Sequence, residues 1–118
     1  MTRVERLKTR KEFISVQRNS KSRATPAFVL LYQPLKSSED VINVGFTASK
    51  KVGNAVRRNR ARRRLKALTD NIMRLNKNFK SPKPLRMVFI ARFAVFDRNF
   101  EKMEKELKTV LKELKCEF

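Results

Sequence analysis

Seventeen residues, Lys50 to Lys66, read KKVGNAVRRNRARRRLK and carry nine lysines or arginines with no acid among them. The acid-free run extends from Val41 to Thr69. An ordinary solvated helix face mixes both signs, because like charges one turn apart repel. A one-signed block of this kind has one chemistry above all, the neutralisation of a polyanion, and nucleic acid is the natural partner. Arginine suits that task. Its planar guanidinium pairs with phosphate through two parallel hydrogen bonds and stacks on bases. Asn59, between Arg58 and Arg60, adds an amide with donors and an acceptor.

The block must be positioned by an element, and its sequence names one. Ala61, Leu65, Leu68, Ile72, Leu75 and Phe79 recur at steps of 3 and 4, the period of one helical face. Arg60, Arg62, Arg63 and Lys66 then point away from that stripe, and Arg58 and Arg64 flank it. The spacing predicts a helix over about 55–77 that buries one side and presents the other as a cationic ridge. Gly53 and Asn54 precede it as a turn and an N-cap. Arg58, Asn59 and Arg60 fall near its first turns, where backbone N–H groups and the positive helix end favour phosphate.

Composition narrows the chemistry. The chain has 118 residues, a net charge of +19 and 41% hydrophobic residues, so it is one basic domain with a core rather than a disordered polycation. Residues 1–96 hold 24 bases against 5 acids, and residues 97–118 hold six of each. The absence of histidine removes the commonest general base and metal ligand. Asp70 is the sole acid between residues 41 and 96, so no carboxylate pair near in sequence marks a magnesium site there. A self-contained protein nuclease is therefore not expected. The single cysteine, Cys116, excludes an internal disulfide and fits a reducing compartment. No apolar run approaches membrane-spanning length and no hydrophobic signal segment is present, so a cytoplasmic protein is expected.

Further elements follow in order. Thr9 and Glu12 have capping-box spacing ahead of a short helix over about 10–18 bearing Phe13 and Val16. Residues 1–8 read as a polar arm anchored by Val4 and Leu7, and NSKSRATP at 19–26 as a loop. Strands are expected at 28–33, 41–49 and 85–93, with Gly45 at a bulge or a close approach. Asp97 reads as the N-cap of a last amphipathic helix carrying Phe100, Met103, Leu107, Val110, Leu111 and Leu114. The order is α-β-β-α-β-α, a single-domain α+β sandwich with helices over a small sheet, spanning 1–118.

The run SKKVGNAVRRNRARRRLK resembles the signature of the bacterial ribonuclease P protein component. RLKTRKEF at 6–13, FVLLY at 28–32, VGFTASKK at 44–51 and VFIAR at 88–92 fall in that family's order. The resemblance implies a left-handed strand–helix–strand crossover. It also implies a non-catalytic protein subunit that assists a catalytic RNA in removing the 5′ leader of precursor tRNA. Magnesium would serve the RNA-centred active site. On this reading Lys50, Lys51, Asn54, Arg58, Asn59, Arg60, Arg62, Arg63 and Lys66 face the ribonuclease P RNA subunit and precursor tRNA. Phe13, Gln17 and Leu31 fall in a cleft that accepts single-stranded leader. Gln17 and Leu31 stand where relatives can carry aromatics, which implies a more polar groove. Two other readings rest on the basic composition alone. One is a structural RNA-binding protein; the other is a DNA binder, for which no helix-turn-helix pair is visible. Neither DNA nor a membrane is the expected partner.

Overall fold

The computed structural model describes residues 2–118. Strand β1 (Arg3–Arg6) leads into helix α1 (Arg10–Arg18), and strands β2 (Lys21–Ala24), β3 (Phe28–Pro34) and β4 (Val41–Thr47) follow. Helix α2 (Ala55–Thr69), strand β5 (Leu85–Ala91) and helix α3 (Phe100–Glu113) complete the chain. The five strands form one mixed sheet in the order β1-β4-β5-β3-β2. β4 runs parallel to β1 and β5, and β3 runs antiparallel to β5 and β2. The parallel pair β4–β5 is joined through α2.

Alternation along the strands divides the molecule into layers. Phe28, Leu30 and Tyr32 of β3, with Ile42 and Val44 of β4 and Met87 and Phe89 of β5, face α2 and α3. They meet Ala61, Leu65 and Leu68 of α2 and Met103, Leu107 and Leu111 of α3 in one buried cluster. The opposite face carries α1. There Gln33, only 7% exposed, donates from its amide to the carbonyls of Ser15 and Asn19. Val16 and Val88 are fully buried on that side, outside the main cluster.

Two strands were not expected from the sequence. RVER of β1 and KSRA of β2 lie at the two edges, are mostly exposed, and bury no apolar row that a period of two could reveal. Short, charged edge strands of this kind also resist pairing with another chain. Boundaries shift as well, β4 ending at Thr47 rather than at residue 49. The basic helix ends as a regular α-helix at Thr69 and continues as a wider π turn over Asp70–Arg74, closed by Leu75 N–H to the Asp70 carbonyl at 2.8 Å. That turn changes the helical phase, so Leu75 leaves the stripe and is 60% exposed while Met73 takes the buried position. β5 stops at Ala91, and Phe93–Phe96 forms a 3-10 turn. Finally, Asn99 rather than Asp97 caps α3, accepting from Lys102 N–H at 3.2 Å, because that extra turn delays the helix start.

Candidate nucleic-acid interface

The start of α2 is built by local hydrogen bonds. A short 3-10 turn spans Lys50–Val52, with the Ser49 hydroxyl accepting from Lys51 N–H at 3.3 Å. Gly53 follows at φ +131°, a conformation that L side chains rarely adopt. A Cβ there would also come within 2.7 Å of Arg57 Cδ. The Asn54 side chain then accepts from Arg57 N–H at 3.0 Å and caps the helix, as the sequence predicts. Its first-turn N–H groups have no intrahelical acceptor, and the first turn itself contains no acid.

Ala61, Leu65 and Leu68 are wholly buried, and this rotation fixes where the basic residues go. Lys50, Lys51, Asn54, Asn59, Arg60 and Arg63 are exposed; Arg58, Arg62 and Lys66 are half-buried. Arg58 folds back, donating to the Gly53 carbonyl at 3.3 Å. Arg62 donates to the Asn59 side-chain oxygen, so this amide is held within the ridge. Lys66 differs from the others. It pairs with Asp70 at 2.7 Å, and Arg74 reaches the same carboxylate at 3.0 Å. Burial pushes the Asp70 carboxyl up, but hydrogen bonds from Arg74 and Lys66 outweigh it and hold the group below the usual carboxylate range. Among the described residues, no ion pair involves Lys50, Lys51, Arg58, Arg60, Arg62 or Arg63. Three acids elsewhere meet other bases: Glu39 pairs with Arg3, Glu113 with Arg23 and Glu106 with Arg98.

Arg64, on the flank of the stripe, is a clamp within the fold. Its Nε–H donates to the Val95 carbonyl at 2.7 Å and a terminal nitrogen to the Arg98 carbonyl at 3.2 Å. It thereby fastens the Phe93–Phe96 turn to α2.

A second region lies on the α1 face. The Thr9 hydroxyl accepts from Glu12 N–H at 3.2 Å, but the Glu12 carboxylate reaches Lys8 N–H at 3.4 Å, one residue before the cap. This start sets Phe13 over β4. A Cβ on Gly45 would lie 2.4 Å from Phe13 Cζ, so glycine is needed there to let the ring approach the sheet. Phe13 and Gln17 line a groove of about 420 Å³ together with Leu7, Lys8, Arg10 and Thr47. Leu31 is in register with Val88, which is in register with Gly45, so it shares this sheet face two strands away. It does not line the groove itself. Tyr32 points the other way, into the main core. Lys8 and Arg10, basic residues at the groove, were hidden in sequence because the strand that positions this segment was not visible.

No group of three His, Cys, Asp or Glu side chains is assembled to hold a metal ion among the described residues. The motif residues bring donors and positive charge but no carboxylate oxygen, so they do not fit a magnesium ion.

The comparisons with known proteins converge. The family model described as Ribonuclease P matches residues 1–115. The ribonuclease P protein component of a Nitratiruptor species is 37% identical over 115 residues, covering 98% of this chain and 96% of that protein. That of Clostridioides difficile is 36% identical over 110 residues, covering 93% and 91%. Among solved structures, the Staphylococcus aureus RNase P protein superposes with a TM-score of 0.68 at 26% identity, covering 91% of this chain and 92% of that one. The Thermotoga maritima RNase P protein, at 24% identity, shares the fold with a TM-score of 0.69 over 92% and 96%. An α+β sheet of this order, a capped basic helix and a sequence likeness running the length of the chain thus carry one conclusion: the chain belongs to the ribonuclease P protein family.

Proposed function

We propose that this chain is the non-catalytic protein subunit that assists a catalytic RNA in removing the 5′ leader of precursor tRNA. The observation that carries the reading is the ridge of exposed, acid-free bases on α2, held in one orientation by a buried stripe and an Asn cap. Such a surface lowers the repulsion between two polyanions and holds them together. Each phosphate it neutralises releases counterions, worth a slope of roughly −0.7 to −0.9 in log affinity against log salt. Lys50, Lys51, Arg58, Arg60, Arg62 and Arg63 face RNA, with Asn54 and Asn59 ordering them. Lys66, paired with Asp70, adds less.

The groove under α1 takes the single-stranded leader. Phe13 offers one ring for stacking, and Gln17 and Thr47 make its wall polar. Magnesium serves the RNA-centred active site, and the protein contributes position and charge. The work takes place in the cytoplasm with precursor tRNA; neither DNA nor a membrane enters it. No helix among the described residues is long and apolar enough to cross a membrane.

Reconstitution tests this. The purified chain is mixed with a bacterial ribonuclease P RNA and a 5′-extended precursor tRNA at low magnesium, with the chain alone as control. Cleavage at the mature 5′ end, fast only when both are present, is the expected result. Tight RNA binding without stimulation would overturn the subunit role, and cleavage by the chain alone would overturn its non-catalytic nature.

A further inference from the structure

The most exposed aromatic side chain in the protein stands beside α2, away from the groove. Phe93 is 60% exposed, an unusual position for a ring that the core does not use. It is not loose. Val95, two residues on, is fully buried, and Arg64 donates to its carbonyl at 2.7 Å, so the turn carrying Phe93 is fixed to α2. Arg57 fills the gap. Its guanidinium carbon lies 4.3 Å from the centre of the Phe96 ring and 5.4 Å from that of Phe93. The two rings meet edge to face at 6.0 Å. Arg57 Nε–H donates to the Val52 carbonyl at 3.3 Å, which orients the group from the other side. Its two terminal nitrogens have no protein partner among the described residues, and it joins no ion pair there.

We propose that Phe93 and Arg57 form a docking site for one unpaired nucleotide of the RNA subunit. The exposed ring stacks on the base, and the free terminal nitrogens of Arg57 take its phosphate. This rests on the function proposed above and extends the RNA surface from α2 onto the β5–α3 connection. The occupant follows from the chemistry. A bare ring is sequence-tolerant and attracts any base, and an arginine already stacked and oriented loses little freedom in binding phosphate. Arg57 belongs to a helix of seven bases and no acid, a charge that outweighs the neighbouring Asp97, favours a polyanion and repels a basic partner such as a second copy of this chain.

The test is the affinity of Phe93 and Arg57 variants for the RNA subunit over a range of salt concentrations, with Arg60→Ala as reference and thermal unfolding as a check on the fold. Phe93→Ala and Phe93→Leu should each weaken binding roughly 5- to 150-fold without changing the salt slope, and Phe93→Trp should retain it. Arg57→Ala should weaken binding and also flatten the slope by about 0.7–0.9. Full affinity in Phe93→Leu would mean simple apolar contact, and full affinity in Phe93→Ala no contact; either overturns the proposal. A change in self-association on Phe93→Ala, with RNA affinity intact, would assign the ring to a protein interface instead. Loss in Arg60→Ala but not in Phe93→Ala defeats this inference alone. No loss in either defeats the proposed function with it.

Discussion

Helices α2 and α3 lie on the same side of the sheet and share one core, yet their outer faces are opposites. α2 carries seven bases and no acid; α3 carries four of each. Both are capped by an asparagine side chain accepting from the third residue on. At α3 the first turn adds Glu101, which suits the positive helix end, and at α2 the first turn holds no acid. The inner faces teach how the sheet is covered. The outer faces differ in charge pattern: α3 mixes both signs, and α2 carries one sign alone.

The largest effects should fail to separate the two helices. Leu65→Ala in α2 and Leu107→Ala in α3 each remove a fully buried side chain and should each destabilise by about 2–5 kcal/mol in denaturant unfolding. A much smaller loss at Leu65 would mean that the stripe of α2 is not its anchor as that of α3 is, and the comparison would break. Exposed charges should separate the helices. Arg60→Ala should flatten the salt dependence of RNA affinity by roughly 0.7–0.9, and Lys102→Ala or Lys105→Ala in α3 should leave it unchanged. Equal slopes for all three would erase the distinction.

The caps sharpen the contrast. Asn54→Asp keeps the cap and adds a negative charge at the α2 end, so it should raise stability by about 0.3–1 kcal/mol at low salt. It should also weaken RNA binding, because that end then repels phosphate. If stability and affinity rise together, α2 is not a compromise between the two. The smallest effect concerns acid. The folded-state value of Asp70 is lowered, so its stabilising effect is present above its unfolded value, about pH 4, and disappears as pH falls through the folded value. Asp70→Asn should remove that part of the acid limb in unfolding followed at successive pH values, and an unaltered limb would show that the pair with Lys66 and Arg74 contributes nothing.

Where an element buries a face, its pattern was readable. Thr9 and Glu12 marked α1, Asn54 marked the start of α2, and the apolar spacing of α3 gave its inner side. The edge strands β1 and β2 were not readable, because Arg3–Arg6 and Lys21–Ala24 are specified by backbone pairing with their neighbours and leave little trace in side-chain type. Leu75 had the right period for the stripe and lost its place to a π turn, which depends on where the chain must go next. The residue types of the candidate interface could be read directly, since charge is a property of the sequence. The pairing of Lys66 with Asp70 has the i,i+4 spacing that a predicted helix over 55–77 makes readable, whereas the stacking of Arg57 on Phe96 could not be read, because it joins residues 39 positions apart.

The sheet order has a kinetic consequence. β5 lies between β4 and β3 and is the last strand in the chain, so during synthesis the two halves of the sheet wait for residues 85–91. Until then β3 can pair only with β2, and β4 only with β1, and the apolar stripe of α2 has no middle strand to cover. Assembly is therefore gated by one late, non-local step, the kind that slows folding and prolongs the exposure of unpaired edges.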